Sequence, residues 1–490
     1  MRFLLGAILL LFSFYAISQG DADLFRYSKI DIQGGARFEA MGGAFGALGS
    51  DLSSSQINPA GFGRYSTNQF GFSLSNSRLN NSLIFQGNKS ILSDNLFKMN
   101  TLGVVLVIDE STKQKGYVYS QFGFGYNKLQ NFTNSISYQG EQFESLLDDF
   151  AAKANGTNSA DLFYTHPFTS SLAWETYTIN PDPTKENYYV PELNNSGNQY
   201  HKRSLDTKGG INEYYLSYST NYMNALYIGG NIGIRTLKYD EQLKHHEDVM
   251  DTAGNTLRSF DYSYNLNTKG TGYNLKLGVL YLPQDNFRIG LAFHSATYYN
   301  LTDNTDANMV AVFQDQVRTI NDSLRPIGKY NYRLRSAPKV VASVAYVFGT
   351  KGCLDMDVEY VNYRWANLRS TKDINNYQPY DFTTENDIAK QLLKSALNVR
   401  IGGEYVINSL FFIRGGMRYS GRAYNKVFGV ELGIDKSYSC GIGYKFGKMN
   451  LDVSYRVSNY SRNYVAFYGS TAQHDLKVQS ITLSANFLIN

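Results

Sequence analysis

The 490-residue chain is poor in the features that mark an enzyme, a nucleic-acid binder or a helical membrane protein. It has two cysteines, Cys353 and Cys440. Strand parity points them to opposite faces of strands that are not neighbours, so neither a disulfide nor a thiolate metal site is expected. Prolines number only nine, which leaves long stretches free to form strands. Basic and acidic residues nearly balance, 46 against 42, and lack the basic runs of a nucleic-acid partner. There is no Gly-x-Ser-x-Gly elbow and no His-Glu-x-x-His helix, and no nucleophile–base set can be assembled at a membrane edge. The histidines, His245-His246 included, are scattered in segments read as loops. No enzyme, cofactor or metal is therefore expected. Beyond the N-terminus no segment stays apolar over the ~20 residues that a membrane-crossing helix needs, and mean hydropathy is −0.34.

What the chain has in quantity is aromatic: 40 Tyr and 30 Phe. With period-two alternation in strand after strand, this suits a membrane β-barrel, whose strands are apolar on one side and whose tyrosines girdle the two interfaces. Leu354, Met356, Val358 and Tyr360 alternate with Asp355, Asp357 and Glu359. Val399, Ile401 and Tyr405 alternate with Asn398, Arg400 and Glu404, and Ile413, Met417 and Tyr419 with Arg414 and Arg418. Val453 and Tyr455 alternate with Asp452 and Arg456, and the last strand, from Ser480 to Phe487, ends on an aromatic. A soluble sandwich would bury these charges in a dry core at great cost, whereas a wet lumen accepts them. Short turns alternating with long polar loops, and about fourteen strands, give an all-β transmembrane antiparallel barrel with both chain ends on the periplasmic side. A monomer is expected.

Residues 1–18 read as a cleaved signal peptide: Arg2, an apolar run from Phe3 to Tyr15, then Ala16-Ile17-Ser18. This places the chain in a Gram-negative outer membrane. Behind it lies GGARFEAMGGAFGALGSDLSSSQINPAGFG, Gly34 to Gly63. Rich in Gly, Ala and Ser, it fits neither a membrane strand nor a soluble core. Residues 19–65 are expected to form a hatch in the lumen of a barrel over 66–490. Pro59 fixes one backbone angle and Asn58 can bond locally, so Asn58-Pro59-Ala60 is either a gate or a plain turn opening the first strand. Arg37 is the charge placed to pin the hatch to an inward acid. Arg288, Arg400, Arg414 and Arg418, with Arg235 and Arg456, are candidates for holding an anionic head group. The inward acids allow a cross-lumen salt-bridge network instead.

The longest loop, 139–211, is external. A helix is expected from Glu141 to Lys153, with Phe143, Leu146, Leu147 and Phe150 on one face. With Trp174 downstream, these residues either pack the loop into a lid or form a capture groove for a greasy solute. A second helix, Glu385 to Ala396, is its candidate other wall.

The Gly34–Gly63 segment with its Asn58-Pro59-Ala60, the pairs RLRSAPKVVASVAYVFG then LDMDVEYVNYRWANL and LNVRIGGEYVI then LFFIRGGMRYSG, and the final strand together resemble the FadL/OmpP1/TodX outer-membrane transporters of hydrophobic compounds. The end of the signal and the tyrosine-rich loops resemble Bacteroidetes members. The resemblance implies a 14-stranded barrel with a lumen hatch, transport of fatty acids or similar lipids, and hatch-gated release. It also implies sideways exit into outer-membrane lipid at a kinked third strand, here about Tyr117 to Gln139. Gly123 and Gly125 would supply the kink, or simply make room for the hatch. Hydrophobic small molecules and, during biogenesis, the outer-membrane assembly machinery are the implied partners. The alternative is a non-transporting barrel that serves a protein secretion machine as scaffold.

Overall fold

A computed structural model describes residues 20–111, 116–193, 197–371, 380–425 and 435–489; the expected signal peptide lies outside them. Fourteen antiparallel strands close into a barrel. They are β1 (Asn68–Phe85), β2 (Asn88–Asp109), β3 (Tyr117–Asn131, resuming at Asn134–Gln142), β4 (Gln199–Tyr222), β5 (Leu226–Val249), β6 (Leu257–Gln284) and β7 (Phe287–His294 and Tyr298–Phe313). There follow β8 (Ile327–Arg335 and Lys339–Val347), β9 (Gly352–Asn362 and Asn367–Ser370), β10 (Ser395–Val406), β11 (Phe411–Ser420), β12 (Asp435–Phe446), β13 (Met449–Phe467) and β14 (Ser470–Ile489). β14 pairs with β1 from Asn68↔Ile489 to Ile84↔Gln473 and closes the sheet. Among the described residues no helix is long and apolar enough to cross a membrane.

Alternation orients every strand, and its chemistry changes along the strand. Near the short turns the outward residues are apolar and the inward ones polar. On β5, Ile228, Ile232 and Ile234 are exposed while Asn231 and Arg235 are buried. On β6, Leu275, Leu277 and Val279 are exposed opposite the buried Asn274 and Lys276. This is the belt that suits hydrocarbon. Farther along the same strands the pattern reverses. Lys238 and Lys244 face out, and Leu237, Tyr239 and Leu243 face in. β1 likewise turns Asn76 and Arg78 outward and buries Leu79, Leu83 and Phe85. The barrel therefore continues beyond its belt as a water-facing turret with an apolar interior.

Two helices of the long connections differ from their expected bounds. The strands reach farther into the long loop than the sequence suggests, leaving 143–198 as the connection. Its helix covers Leu146–Ala154, because Ser145 caps it and forms a capping box with Asp148. Phe143 falls before that cap and stays exposed, while Leu146, Leu147 and Phe150 join a buried cluster with Leu172, Leu243 and Phe260. The second helix covers Thr383–Leu392, since Ser395 and Ala396 already belong to β10.

Candidate functional site

The N-terminal segment threads the barrel from the turret to the short-turn end. Helix α1 (Asp21–Ser28) stands in the turret, where Leu24 and Tyr27 are buried among Leu237, Leu266, Leu301 and Leu334. Arg26 lies over the Tyr239 ring at 4.2 Å. Helix α2 (Ala36–Ala40) sits at belt level: the Ala36 N–H donates to Ser484 Oγ at 3.1 Å, and the Ala40 carbonyl accepts from Ser439 Oγ at 3.0 Å. Two short 3₁₀ turns, Leu52–Gln56 and Pro59–Arg64, complete the segment before β1.

Small residues let this segment lie against the wall at backbone distance. Gly402 and Gly416 face the Met41 backbone so closely that a Cβ at either would overlap it, and a Cβ at Gly278 would overlap Asn58 Oδ1. The Gly-, Ala- and Ser-rich composition thus follows from the confined space: backbone packs on backbone, and few side chains intervene.

Charge fixes the position. Arg37 clasps Glu404 with two bonds, Nε to Oε2 at 3.0 Å and Nη2 to Oε1 at 3.2 Å. Arg414 donates to the same carboxylate at 2.6 Å and to Asp452 at 2.7 Å. Arg418 donates to the plug carbonyls of Gly42 and Ile32, each at 2.6 Å, and lies 3.2 Å from the buried Glu39 carboxylate. Two wall acids grip the plug by its backbone: Asp357 accepts from the N–H groups of Phe45 and Gly46 at 3.2 and 3.0 Å, and Asp355 from that of Ala47 at 3.3 Å. Within the plug, burial pushes the Asp51 carboxyl up, opposed by Arg37 and by the N–H of Ser53, which Asp51 caps at 2.8 Å.

Asn58 bridges three parts. Its amide donates to the Gly46 carbonyl at 2.8 Å and to the Val279 carbonyl of β6 at 3.0 Å, and its oxygen accepts from the Ala60 N–H at 3.1 Å. The Pro59 carbonyl accepts from Ser219 of β4 at 2.7 Å. Pro59 opens the second 3₁₀ turn, where its missing N–H costs nothing.

Among the described residues, the wall has a seam between β2 and β3. The β2–β3 ladder runs from Thr101↔Asn127 to Asp109↔Tyr119. Above it, among the described residues, β2 from Asn88 to Met99 is paired with β1 alone, and the upper stretch of β3 with β4 alone. The plug touches this place: the Asp31 N–H donates to Gln130 at 2.9 Å, and Asn100 donates to the Gly34 carbonyl at 3.1 Å.

In a search of solved structures, the FadL homologue of Pseudomonas aeruginosa superposes with a TM-score of 0.57 at 12% identity, over 94% of this chain and 99% of that one. The toluene transporter TodX of P. putida gives 0.54 at 12%, over 94% and 100%. The toluene transporter TbuX of Ralstonia pickettii gives 0.51 at 14%, over 93% and 99%. The fold is that of the FadL and TodX barrels. No family model matches the chain, and no curated protein matches its sequence.

Within this FadL-type barrel, Arg37, Asn58, Pro59 and Ala60 all lie at the plug–wall contact. Arg400, Arg414 and Arg418 also face inward, but each is committed: Arg400 lies 3.4 Å from Asp357 and Glu359, and the other two hold Glu404, Asp452 and the plug. Among the four expected head-group arginines, Arg288 differs: Nη1 reaches the Leu48 carbonyl at 3.3 Å and Nε has no partner. Gly123 and Gly125 sit inside the paired β2–β3 ladder, not at a kink. A Cβ at Gly123 would overlap the Phe62 ring of the plug, and one at Gly125 would crowd Tyr215. The interruption of β3 falls instead between Asn131 and Asn134. Trp174 packs edge-on against Tyr189 at 5.7 Å within the connection that follows β3. The seam lies on the third strand, where the resemblance implies a sideways exit, but above Gly123 and Gly125; the backbone grip of Asp355 and Asp357 has no signal in the sequence.

Proposed function

We propose that the chain carries hydrophobic compounds across the outer membrane: captured at the external head, taken into the turret, and released past the plug through the β2–β3 seam into lipid. The observation that carries this reading is the turret interior, an apolar chamber sealed from below by a small-residue plug and currently filled by Leu24 and Tyr27 of α1. Apolar surface moved there from water gains ~25 cal/mol per Å². Rearranging a plug held by backbone contacts and a few ion pairs supplies the release step. TodX and TbuX are toluene transporters, which supports a small neutral solute. Arg400, Arg414 and Arg418, already held by wall acids and the plug, weigh the same way against a long-chain fatty acid, whose carboxylate would find only Arg288 partly free among the four expected arginines.

Proteoliposomes separate the possibilities. Uptake of a radiolabelled monoaromatic hydrocarbon and of a labelled long-chain fatty acid is measured against empty liposomes. Uptake of either supports transport, and their ratio gives the ligand class. Background uptake of both, with a partner protein co-purifying in stoichiometric amount, replaces transport by the scaffold role.

A further inference from the structure

Two of the six histidines are brought together on strands, not scattered in loops. His201 on β4 pairs in register with Glu247 on β5, and His245 precedes Glu247 by two residues on the same inward face. All three side chains are buried in the external head, and one ligand atom from each lies within 4.8 Å of the other two. His245 Nε2 is 2.6 Å and His201 Nδ1 3.3 Å from the same oxygen, Glu247 Oε1. Neither ring nitrogen of His201 makes a hydrogen bond of good geometry, and His245 Nδ1 has no partner. Buried imidazole nitrogens left unsatisfied next to a carboxylate are costly, and an ion between them would remove that cost.

We infer that His201, His245 and Glu247 form a zinc site in the external head. Two imidazoles and a carboxylate are a donor set that zinc accepts at ~2.0–2.2 Å. Tetrahedral bonds of that length separate donors by about 3.3 Å. The His201–Glu247 pair already stands at that spacing, His245 Nε2 lies somewhat closer to the same oxygen at 2.6 Å, and no two of the three donors are more than 4.8 Å apart. The second shell is built. Glu247 Oε2 accepts from Ser145 Oγ at 2.5 Å, and Oε1 accepts from the Leu146 N–H at 2.8 Å. These donors orient the carboxylate as second-shell partners do. They also join the site to the cap of the Leu146–Ala154 helix, so the ion would clamp that helix to β4 and β5. Phe85, Phe260 and Phe467 surround the imidazoles and keep the site dry. Arg203 lies in register opposite His245, but its guanidinium turns to the Tyr464 hydroxyl at 3.2 Å and the Ala466 carbonyl at 3.4 Å.

The test uses detergent-purified barrel without a polyhistidine tag, stripped with chelator and titrated with Co²⁺ and then Zn²⁺. One equivalent of Co²⁺ should give the visible absorption of a tetrahedral or five-coordinate N/O site, and Zn²⁺ should displace it. Affinity should fall at least ~10-fold in His201→Ala and in Glu247→Gln, and stay unchanged in His246→Ala, whose ring lies on the outward face. Zinc should also slow proteolysis within 143–198 in the unaltered protein and not in Glu247→Gln. No Co²⁺ band in the unaltered protein, or a band that survives both ligand substitutions, overturns the proposal whether or not the variants fold as well.

Discussion

Arg37 of the plug and Glu404 of β10 meet through two parallel bonds, at 3.0 and 3.2 Å, and Arg414 holds the same carboxylate from the other side at 2.6 Å. Glu404 is thus the wall anchor that one plug cation and one wall cation share. In Arg37→Met the carboxylate keeps Arg414, so the barrel stands while the plug loses a charge-assisted pair that contributes about 1–3 kcal/mol. The expected outcome is faster leakage of a small polar dye from proteoliposomes with unchanged heat-modifiability of the barrel on gels. Leakage equal to the unaltered protein would mean that this clasp does not hold the plug shut.

Gly278 and Gly230 form a matched pair of tests for the confined space. A Cβ at Gly278 has no room beside Asn58, whereas one at Gly230 meets its nearest atom at an ordinary 3.7 Å. Gly278→Val should push Asn58 and Pro59 off β6 and raise dye leakage. Gly230→Ala should leave leakage alone and stabilise slightly, by up to about 0.5–1 kcal/mol, as glycine replacement in a strand does. Equal leakage in both would show that the Asn58–Val279 contact is incidental.

The barrel was legible because alternation is a local signal: Arg400, Arg414 and Arg418 sit on the inward face that their spacing predicts, and the strand count holds. Their partners were not legible. Arg418 binds the Gly42 and Ile32 carbonyls, and Asp357 the Phe45 and Gly46 N–H groups. Backbone groups carry no sequence signature of their own. The same limit explains Gly123, whose absent side chain is matched by a ring, Phe62, some sixty positions earlier in the chain. The turret is not legible from alternation, because its reversal of polarity keeps the period and changes only which face is apolar. His201 and Glu247 are brought together by a register that periodicity alone does not set.

Leu24 has no exposed surface and packs in the turret where a hydrophobic solute would lie. Leu24→Ala should vacate part of that chamber at a local cost of about 2–5 kcal/mol in α1 docking. A ligand entering the chamber competes with α1, so equilibrium binding of an apolar fluorescent probe should tighten. Weaker or unchanged binding would place the ligand elsewhere.

Thr101 and Asn127 stand opposite each other at the top of the β2–β3 ladder, and their side chains bond at 2.9 Å. Directly opposed residues of an antiparallel pair have Cα atoms about 4.5–5.5 Å apart, within disulfide reach. Below them the strands are zipped, above them they are not, so sideways exit through this wall requires the ladder to open from this pair downward. In Thr101→Cys/Asn127→Cys the oxidised protein should lose uptake of an apolar solute and regain it on reduction, while dye leakage past the plug stays the same in both states. The native Cys353 and Cys440 are free, one buried on β9 and the other exposed on β12, and do not compete for the bridge. Because the reduced form carries the same two substitutions, loss of the Thr101–Asn127 bond is common to both arms, and only the cross-link differs. Uptake that is indifferent to oxidation would move the exit from the seam to the short-turn end of the barrel, past the plug itself.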